Sequence, residues 1–254
     1  MKIQFLSDLH REFYPGGKGS SPKIFYNADV VILGGDISTT PEGAAHYIKS
    51  IRGQTKGDIL YIPGNHEYYG HKFPADRESY RSAVEAIPGV NLIDRSYYRD
   101  DDNKIIILCT TLWTDFDSHR GIGAATQGLN DLRLIRIDNS YDSITAYDLI
   151  EEHEKDKVWL VDQLRDFEDY AMIVATHHAP SIKSIHPQYH KDPLNSCFFA
   201  DLENIIARYE PKYWFHGHTH HACEYKLGET TVICNPVGYP QERDTGYRDL
   251  LVEV

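Results

Sequence analysis

Asp8 with His10, Asp36, Asn65 with His66, His177, and His218 with His220 are the residues whose types and spacing suit joint chemistry. Carboxylate oxygens, imidazole nitrogens and one amide oxygen form a mixed donor set without thiolate, which suits manganese, iron, zinc, cobalt or nickel. There are more donors than one tetrahedral ion needs. Alternate residues on an extended segment project to the same side, so both members of Asp8-x-His10 and of His218-x-His220 can reach one pocket. Two ions roughly 3.5–4 Å apart and bridged by a carboxylate suit in-line attack on phosphorus, and Asp36 is the expected bridge. A lone Asp-x-His or His-x-His is weak, because histidines are common as surface groups or hydrogen-bonded core groups. The argument rests on their conjunction.

That conjunction depends on strands. Short apolar runs rich in β-branched residues at 3–6, 30–33, 59–62, 105–109, 172–175 and 213–215 read as buried strands. Each donor set follows directly on one of them, and ligands of open α/β sheets gather outside the carboxyl ends of strands. Between the strands lie helical segments. One has Thr40 as N-cap, Pro41 at its first position and Gly53 past its end. Others are expected at 76–86, at 145–167 with Leu149, Val158, Val161 and Leu164 as an apolar face, and at 202–209. A hairpin at 222–227 and 230–234 and a strand at 249–254 close the chain, with Cys223 and Cys234 in mirror positions about Gly228-Glu229. Residues 11–23 and 96–104 read as loops. Gly16-Gly17-Lys18-Gly19-Ser20 lacks the spacing of a phosphate-cradling loop and is expected to be a flexible segment over the site.

The series Asp8-x-His10, Gly35-Asp36, Gly64-Asn65-His66-Glu67, His177 and Gly217-His218-x-His220 resembles the calcineurin-like metallophosphoesterase superfamily, over residues 8–220. The resemblance implies a four-layer α/β/β/α sandwich, the metallo-dependent phosphatase fold. It also implies two divalent transition-metal ions, manganese foremost, one held by Asp8, His10, Asp36 and His220 and the other by Asp36, Asn65, His177 and His218. A hydroxide bridging the ions would attack a phosphomonoester or phosphodiester. His66 would be the catalytic residue outside both sets, as general acid or as a donor to the phosphoryl or leaving oxygen, with Glu67 behind it. Many members of that superfamily carry an aspartate three residues after the bridging one; this chain has Thr39 there, which opens the question of what orients His66. The context of His177-His178-Ala179-Pro180 favours His177 as ligand and leaves His178 behind it or facing substrate.

Residues 111–136 follow a strand on the same edge and are expected to wall the substrate pocket. Trp113 would stack on a base or sit in the core, and Arg133 would bind a phosphate oxygen. Tyr68-Tyr69 should bring at least one ring to the pocket mouth. The length of 254 residues, with 41% hydrophobic and 25% charged residues, fits one globular domain spanning 1–254. No apolar run approaches the roughly 20 residues of a membrane span, and the opening residues lack a signal peptide's apolar stretch, which points to a soluble, cytoplasmic protein. The four cysteines form no C-x-x-C pair and are expected to be reduced. A formal charge of −12 opposes a broad phosphate-binding surface and favours a small phosphorylated substrate or nucleotide as partner. A nuclease acting on nucleic-acid ends is the alternative, with Arg11, Arg120, Arg133 and Arg136 its only apparent cations near the motifs. A noncatalytic scaffold would have lost donors that are all present here.

Overall fold

The computed structural model describes residues 1–14, 22–138, 142–242 and 244–254. The glycine-rich stretch expected over the site lies outside the described residues. Two sheets face each other. The first has the order β13-β1-β2-β3-β5, from Leu251–Glu253 (β13), Lys2–Leu6 (β1), Val30–Leu33 (β2), Asp58–Tyr61 (β3) and Val90–Leu92 (β5). The second has the order β11-β12-β10-β9-β7-β6, from Cys223–Leu227 (β11), Thr230–Cys234 (β12), Tyr213–His216 (β10), Ala171–Thr176 (β9), Ile105–Thr110 (β7) and Ser96–Asp100 (β6). A two-stranded ribbon of Lys72–Phe73 (β4) and Arg136–Ile137 (β8) lies apart from both.

Strand periodicity sends alternate residues to opposite faces, and three apolar clusters follow from it. Ile3, Phe5, Val30, Ile32 and Leu60 meet Ile107, Ile173, Phe215 and Ile233 between the sheets. Phe5 stacks on Phe215 there, ring centroids 5.2 Å apart, a contact worth about 0.5–1.5 kcal/mol beyond burial alone. Leu6, Val31, Leu33, Ile59 and Tyr61 face outward against the helices Pro41–Arg52 (α1) and Arg77–Glu85 (α2). On the far side, Ile106, Leu108, Val174 and Trp214 pack under Ala146–Asp166 (α5) and Glu203–Tyr209 (α6). The layers are helix, sheet, sheet, helix, as the resemblance implies. Between β7 and α5 lie two short helices, Ile122–Gly128 (α3) and Asp131–Leu134 (α4).

Helix α1 begins as expected, with the Thr40 side chain accepting from Gly43 N and Gly53 as C-cap. Helix α5 starts with a capping box between Thr145 and Asp148 but departs from its expected face. Val158 is 58% exposed and Val161 half-buried; the buried stripe is Leu149, His153, Asp156, Leu160 and Leu164. Two polar members were invisible to a search for apolar periodicity, because their partners lie outside the helix. His153 Nδ1 is 2.9 Å from Leu112 O, and Asp156 accepts from Leu112 N at 2.9 Å and from Arg95 at 3.0 Å. Residues 96–100, expected as loop, are strand β6, paired antiparallel with β7 at the sheet edge. An edge strand tolerates polar side chains because its pairing comes from its neighbour's backbone. The acidic run after it is a solvated turn in which Asp100 accepts from Asn103.

Candidate metal centre and active site

All five donor-bearing segments leave at the same edge, β1 to β3 from one sheet and β9 and β10 from the other. The chain turns sharply there. Asp8, His10, Asp36, His218 and His220 all have positive φ, between 42° and 67°, a conformation costing of order 1–3 kcal/mol for a non-glycine residue and concentrated at functional sites. Close backbone approach makes the turns possible. A Cβ on Gly64 would lie 2.2 Å from Asp36 Oδ1 and 2.7 Å from His177 Cε1, so only glycine fits between the two.

The geometry gathers the expected donors into two groups sharing one carboxylate. Asp8, His10, Asp36 and His220 present atoms all within 4.8 Å of one another, and so do Asp36, His177 and His218. Asn65 joins the second group, its Oδ1 3.0 Å from His177 Nε2, and its amide is oriented by donating to Asp131 at 2.8 Å. Asp36 divides its oxygens between the groups: Oδ2 is 3.8 Å from His10 Nε2 and Oδ1 is 3.5 Å from His177 Nε2.

Three imidazoles are held from behind by oxygen acceptors. His177 Nδ1 is 2.8 Å from Gly34 O, His10 Nδ1 is 3.1 Å from Glu12, and His220 Nδ1 is 2.9 Å from Glu242. With each Nδ1–H donated outward, each Nε2 keeps its lone pair for the interior, as metal-binding histidines do. Nε2 of His10 and His220 face each other at 3.0 Å, and His218 Nε2 is buried with no hydrogen-bond partner among the described residues. Buried polar atoms of that kind are rare unless another ligand satisfies them. The donor set fits divalent transition-metal ions.

Electrostatics point the same way. Burial, then the charges of Glu67 and Asp8, hold the Asp36 carboxyl well above the ordinary carboxylate range, so ionised Asp36 calls for nearby cations. Burial would raise Asp8 too, but the hydrogen bond and charge of His220 and the neighbouring His177 and His10 bring it below its usual range. Burial lowers His10 to about 4 and lowers His177 and His218, keeping their rings neutral, as ligands must be. His220 is opposed by burial yet raised to about 9 by Asp8 and Glu242.

His66 lies beside the shared carboxylate, Nε2 4.0 Å from Asp36 Oδ2, and its backbone N–H donates to Asp36 Oδ1 at 2.9 Å. The question raised by Thr39 has a structural answer: His66 Nδ1 is 3.3 Å from Glu12, on the loop after β1. Burial opposes ionisation of Glu12, but hydrogen bonds from His10 and His66 lower it to about 2. The other face of the imidazole stacks on Tyr69 at 4.1 Å, and the Tyr239 hydroxyl lies 3.1 Å from Nε2. Glu67 does not stand behind His66 as expected. Its carboxylate accepts from Asp36 N, Ile37 N, Gly64 N and the Tyr61 hydroxyl at 2.7–3.0 Å, tying the loops after β2 and β3 together.

The pocket wall meets expectation in part, with Gly128, Leu129, Asn130 and Asp131 lining the cavity. Trp113 is 1% exposed, packed against Phe73, Tyr68 and His178, and so belongs to the core of the wall. Arg133 is exposed, and its guanidinium donates to Gln127 O on the surface. His178 is buried against His218, ring centroids 4.1 Å apart, and does not line the cavity. The residues that do reach the cavity include Asn130, Asp131 and Tyr69, with His186, Tyr239 and Glu242 unforeseen. Tyr239 and Glu242 had a topological signal. Strand β12 runs parallel to β10, so the chain leaving it must arrive at the donor edge, where Val237 N and Gly238 N donate to Ser7 O and Asp8 O. Glu12 had only its proximity to His10.

Comparison with known proteins agrees with this architecture. An uncharacterised protein of Acanthamoeba polyphaga mimivirus, L509, is 26% identical over 269 residues, covering 95% of this chain and 92% of its own. The crystal structure of a phosphopantetheinyl hydrolase from Mycobacterium tuberculosis superposes with a TM-score of 0.77 at 14% identity, covering 100% of this chain and 95% of that one. GAP50, the anchor in the inner membrane complex of Plasmodium, superposes with a TM-score of 0.50 at 11% identity, over 92% of this chain and 70% of its own. These two likenesses concern the fold. The sequence model of the calcineurin-like phosphoesterases matches residues 1–222, and with the two donor groups at the shared sheet edge this chain belongs to that family.

Proposed function

We propose that the protein is a dinuclear-metal-dependent hydrolase of a phosphomonoester or phosphodiester of a small molecule or nucleotide. The carrying observation is Asp36, whose two carboxylate oxygens address two different sets of imidazoles. Asp8, His10, Asp36 and His220 would hold one ion and Asp36, Asn65, His177 and His218 the other, with manganese first among the candidates for such oxygen and nitrogen donors. Two divalent ions, when bound, supply Lewis acidity and an activated water for in-line displacement at phosphorus.

The chain's own residues supply the rest. His66 stands beside the shared carboxylate, where an imidazolium can protonate a leaving oxygen or donate to a phosphoryl oxygen. Glu12 holds that ring by Nδ1, while Tyr69 fixes its plane. Four arginines that could have served a nuclease are engaged elsewhere. Arg11 lies over the Tyr14 and Tyr47 rings, Arg120 pairs with Asp117, Arg133 meets Gln127 O and Arg136 meets Ser143. A small substrate fits these surroundings better than a polynucleotide.

The test is turnover of bis-p-nitrophenyl phosphate and p-nitrophenyl phosphate by protein reconstituted with each candidate metal, alongside metal analysis. Metal-dependent release of p-nitrophenol with two ions per chain is expected. The absence of metal-dependent hydrolysis of either ester and of nucleotides would overturn the reading.

A further inference from the structure

The donor edge forms the floor of a cavity of about 370 Å³, toward the lower end of small-molecule sites. Its walls come from segments that carry no expected metal ligand: residues 128–131 around α3 and α4, and residues 185–198 after β9. Their contribution is of two kinds. Leu129, Ile185, Leu194 and Phe198 present an apolar surface, with the half-exposed Tyr189 at its rim. Asp131, Asp192 and Glu242 present carboxylates, and no lysine or arginine lines this cavity among the described residues.

Resting on the hydrolase reading above, we propose that the site selects phosphoesters whose organic half is an uncharged, largely apolar chain, and rejects those whose organic half carries a second anion. The phosphoryl group is the one anionic part of a substrate that the metal floor would neutralise. Past the floor, the organic half meets the face of Leu129 and Leu194, where each methylene removed from water strengthens binding. An additional carboxylate or phosphate on that half would instead lie against three acidic side chains, with a cavity wall of low polarity concentrating the repulsion.

Each acidic group is fixed in place. Asp131 is buried and accepts from Asn65 and Tyr69, Glu242 clasps His220, and Asp192 accepts from Leu194 N at 2.8 Å, so its carboxylate is anchored where the apolar wall begins. Among the described residues, the nearby lysine and arginine do not offset them. Arg120 is bound to Asp117, and Lys191 belongs to a neighbouring hollow that meets this cavity at Asp192 and Asn195.

The experiment compares methyl, n-hexyl and 5-carboxypentyl alcohols, each offered as its p-nitrophenyl diester and as its phosphate monoester, with p-nitrophenyl phosphate as a control. Hydrolysis is followed by p-nitrophenol and phosphate release from the metal-loaded protein. The hexyl ester is expected to exceed the methyl ester in kcat/KM by at least about tenfold, since several methylenes become buried. It should exceed the carboxypentyl ester by a similar factor at low salt, and that second ratio should shrink as ionic strength screens the carboxylates. Leu194→Asn should collapse the first ratio and Asp192→Asn should narrow the second, each measured relative to p-nitrophenyl phosphate in the same variant. Hydrolysis without an advantage for hexyl, or with the carboxypentyl ester equal or better, would overturn the selectivity and leave the hydrolase assignment standing. No release from any ester or from the control would remove the hydrolase assignment and this inference together.

Discussion

Asp36 and His66 are neighbours with separable duties, and substitution should pull them apart. Asp36 serves both donor groups, so Asp36→Asn removes the bridging charge and should lower bound metal and kcat/KM together, the latter by more than the roughly 10–100-fold expected for a residue behind the ligands. His66→Ala should keep both ions and lower kcat by about 10²–10⁴-fold, the range for a positioned general acid. Metal analysis beside steady-state kinetics distinguishes the two, and full activity in metal-loaded His66→Ala protein would exclude its catalytic role. Glu12 touches both sides of this division, through His10 at 3.1 Å and His66 at 3.3 Å. Glu12→Ala should therefore weaken metal affinity and reduce kcat, each by roughly 10–100-fold, with Glu12→Asp recovering part of both. Unchanged metal affinity and rate in Glu12→Ala would show that the contact is incidental. The donors were legible in the sequence because Asp-x-His, Asn-His-Glu and His-x-His stand directly after apolar runs. Glu12 was not, because a carboxylate two residues beyond a histidine has no distinctive spacing. Tyr239 and Glu242 were not, because what places them is the parallel pairing of β12 with β10 rather than any local pattern.

Elements position the site through loops that pass very close together, and glycines set how close. A Cβ at Gly64 would intrude to 2.2 Å from Asp36 Oδ1, and the two loops it separates are bound to each other through Glu67. Gly64→Ala should therefore displace Asp36 or His177, with loss of metal binding and a destabilisation of about 1–3 kcal/mol from overpacking. Gly123→Ala is the matched control. It sits in α3 with nothing within 4 Å of its would-be Cβ, and it should be neutral or stabilising by up to about 1 kcal/mol. Denaturant midpoints and metal content of the two variants check this, and equal behaviour would refute the close-approach argument. At this scale the buried strands were readable, since each is a continuous apolar run between two packed faces. Strand β6 was not, because an edge strand with exposed side chains has a loop's composition. The face of α5 was misjudged for a related reason: His153 and Asp156 are buried by virtue of partners contributed from Leu112 and Arg95, which no helical periodicity of α5 contains.

Across the whole molecule, the chain with 38 acidic residues and 14 histidines buries a notable share of both at one edge, and this makes its stability depend on pH in a definite direction. Burial lowers His153 and, far more, His178, and it brings His10 to about 4. These rings are neutral in the folded protein, whereas in the unfolded chain they titrate near the ordinary value of about 6.5. Below that pH the unfolded chain binds more protons, so the stabilisation present above about 6.5 is lost as pH falls toward each folded value, by up to about 1.4 kcal/mol per pH unit for each group. His220 works in the opposite sense. Raised to about 9, it contributes stability that is full below 6.5 and is lost as pH rises through 9, and the buried carboxyls of Asp36, raised well above the ordinary range, and Asp156, raised to about 8, act in the same direction against the lowered rings of His10, His153, His177, His178 and His218. Glu12, lowered to about 2, loses its contribution only under more acidic conditions, between about 4.5 and 2. Stability of the chelator-treated protein should therefore begin to fall near pH 6.5, where the imidazoles of the unfolded chain take up protons. Bound divalent ions compete with protons for the ligand imidazoles and should move that onset to lower pH. His153 is the ring on which to test this, because it meets Leu112 O and stands apart from the donors. His153→Gln can keep a donor to that carbonyl without titrating, so the variant should unfold with a shallower pH dependence between 6.5 and 5 than the parent. Thermal unfolding midpoints at pH 8, 7, 6 and 5, with and without chelator, measure the effect. A flat profile over that range in the chelated parent would show that the buried imidazoles do not govern its acid stability.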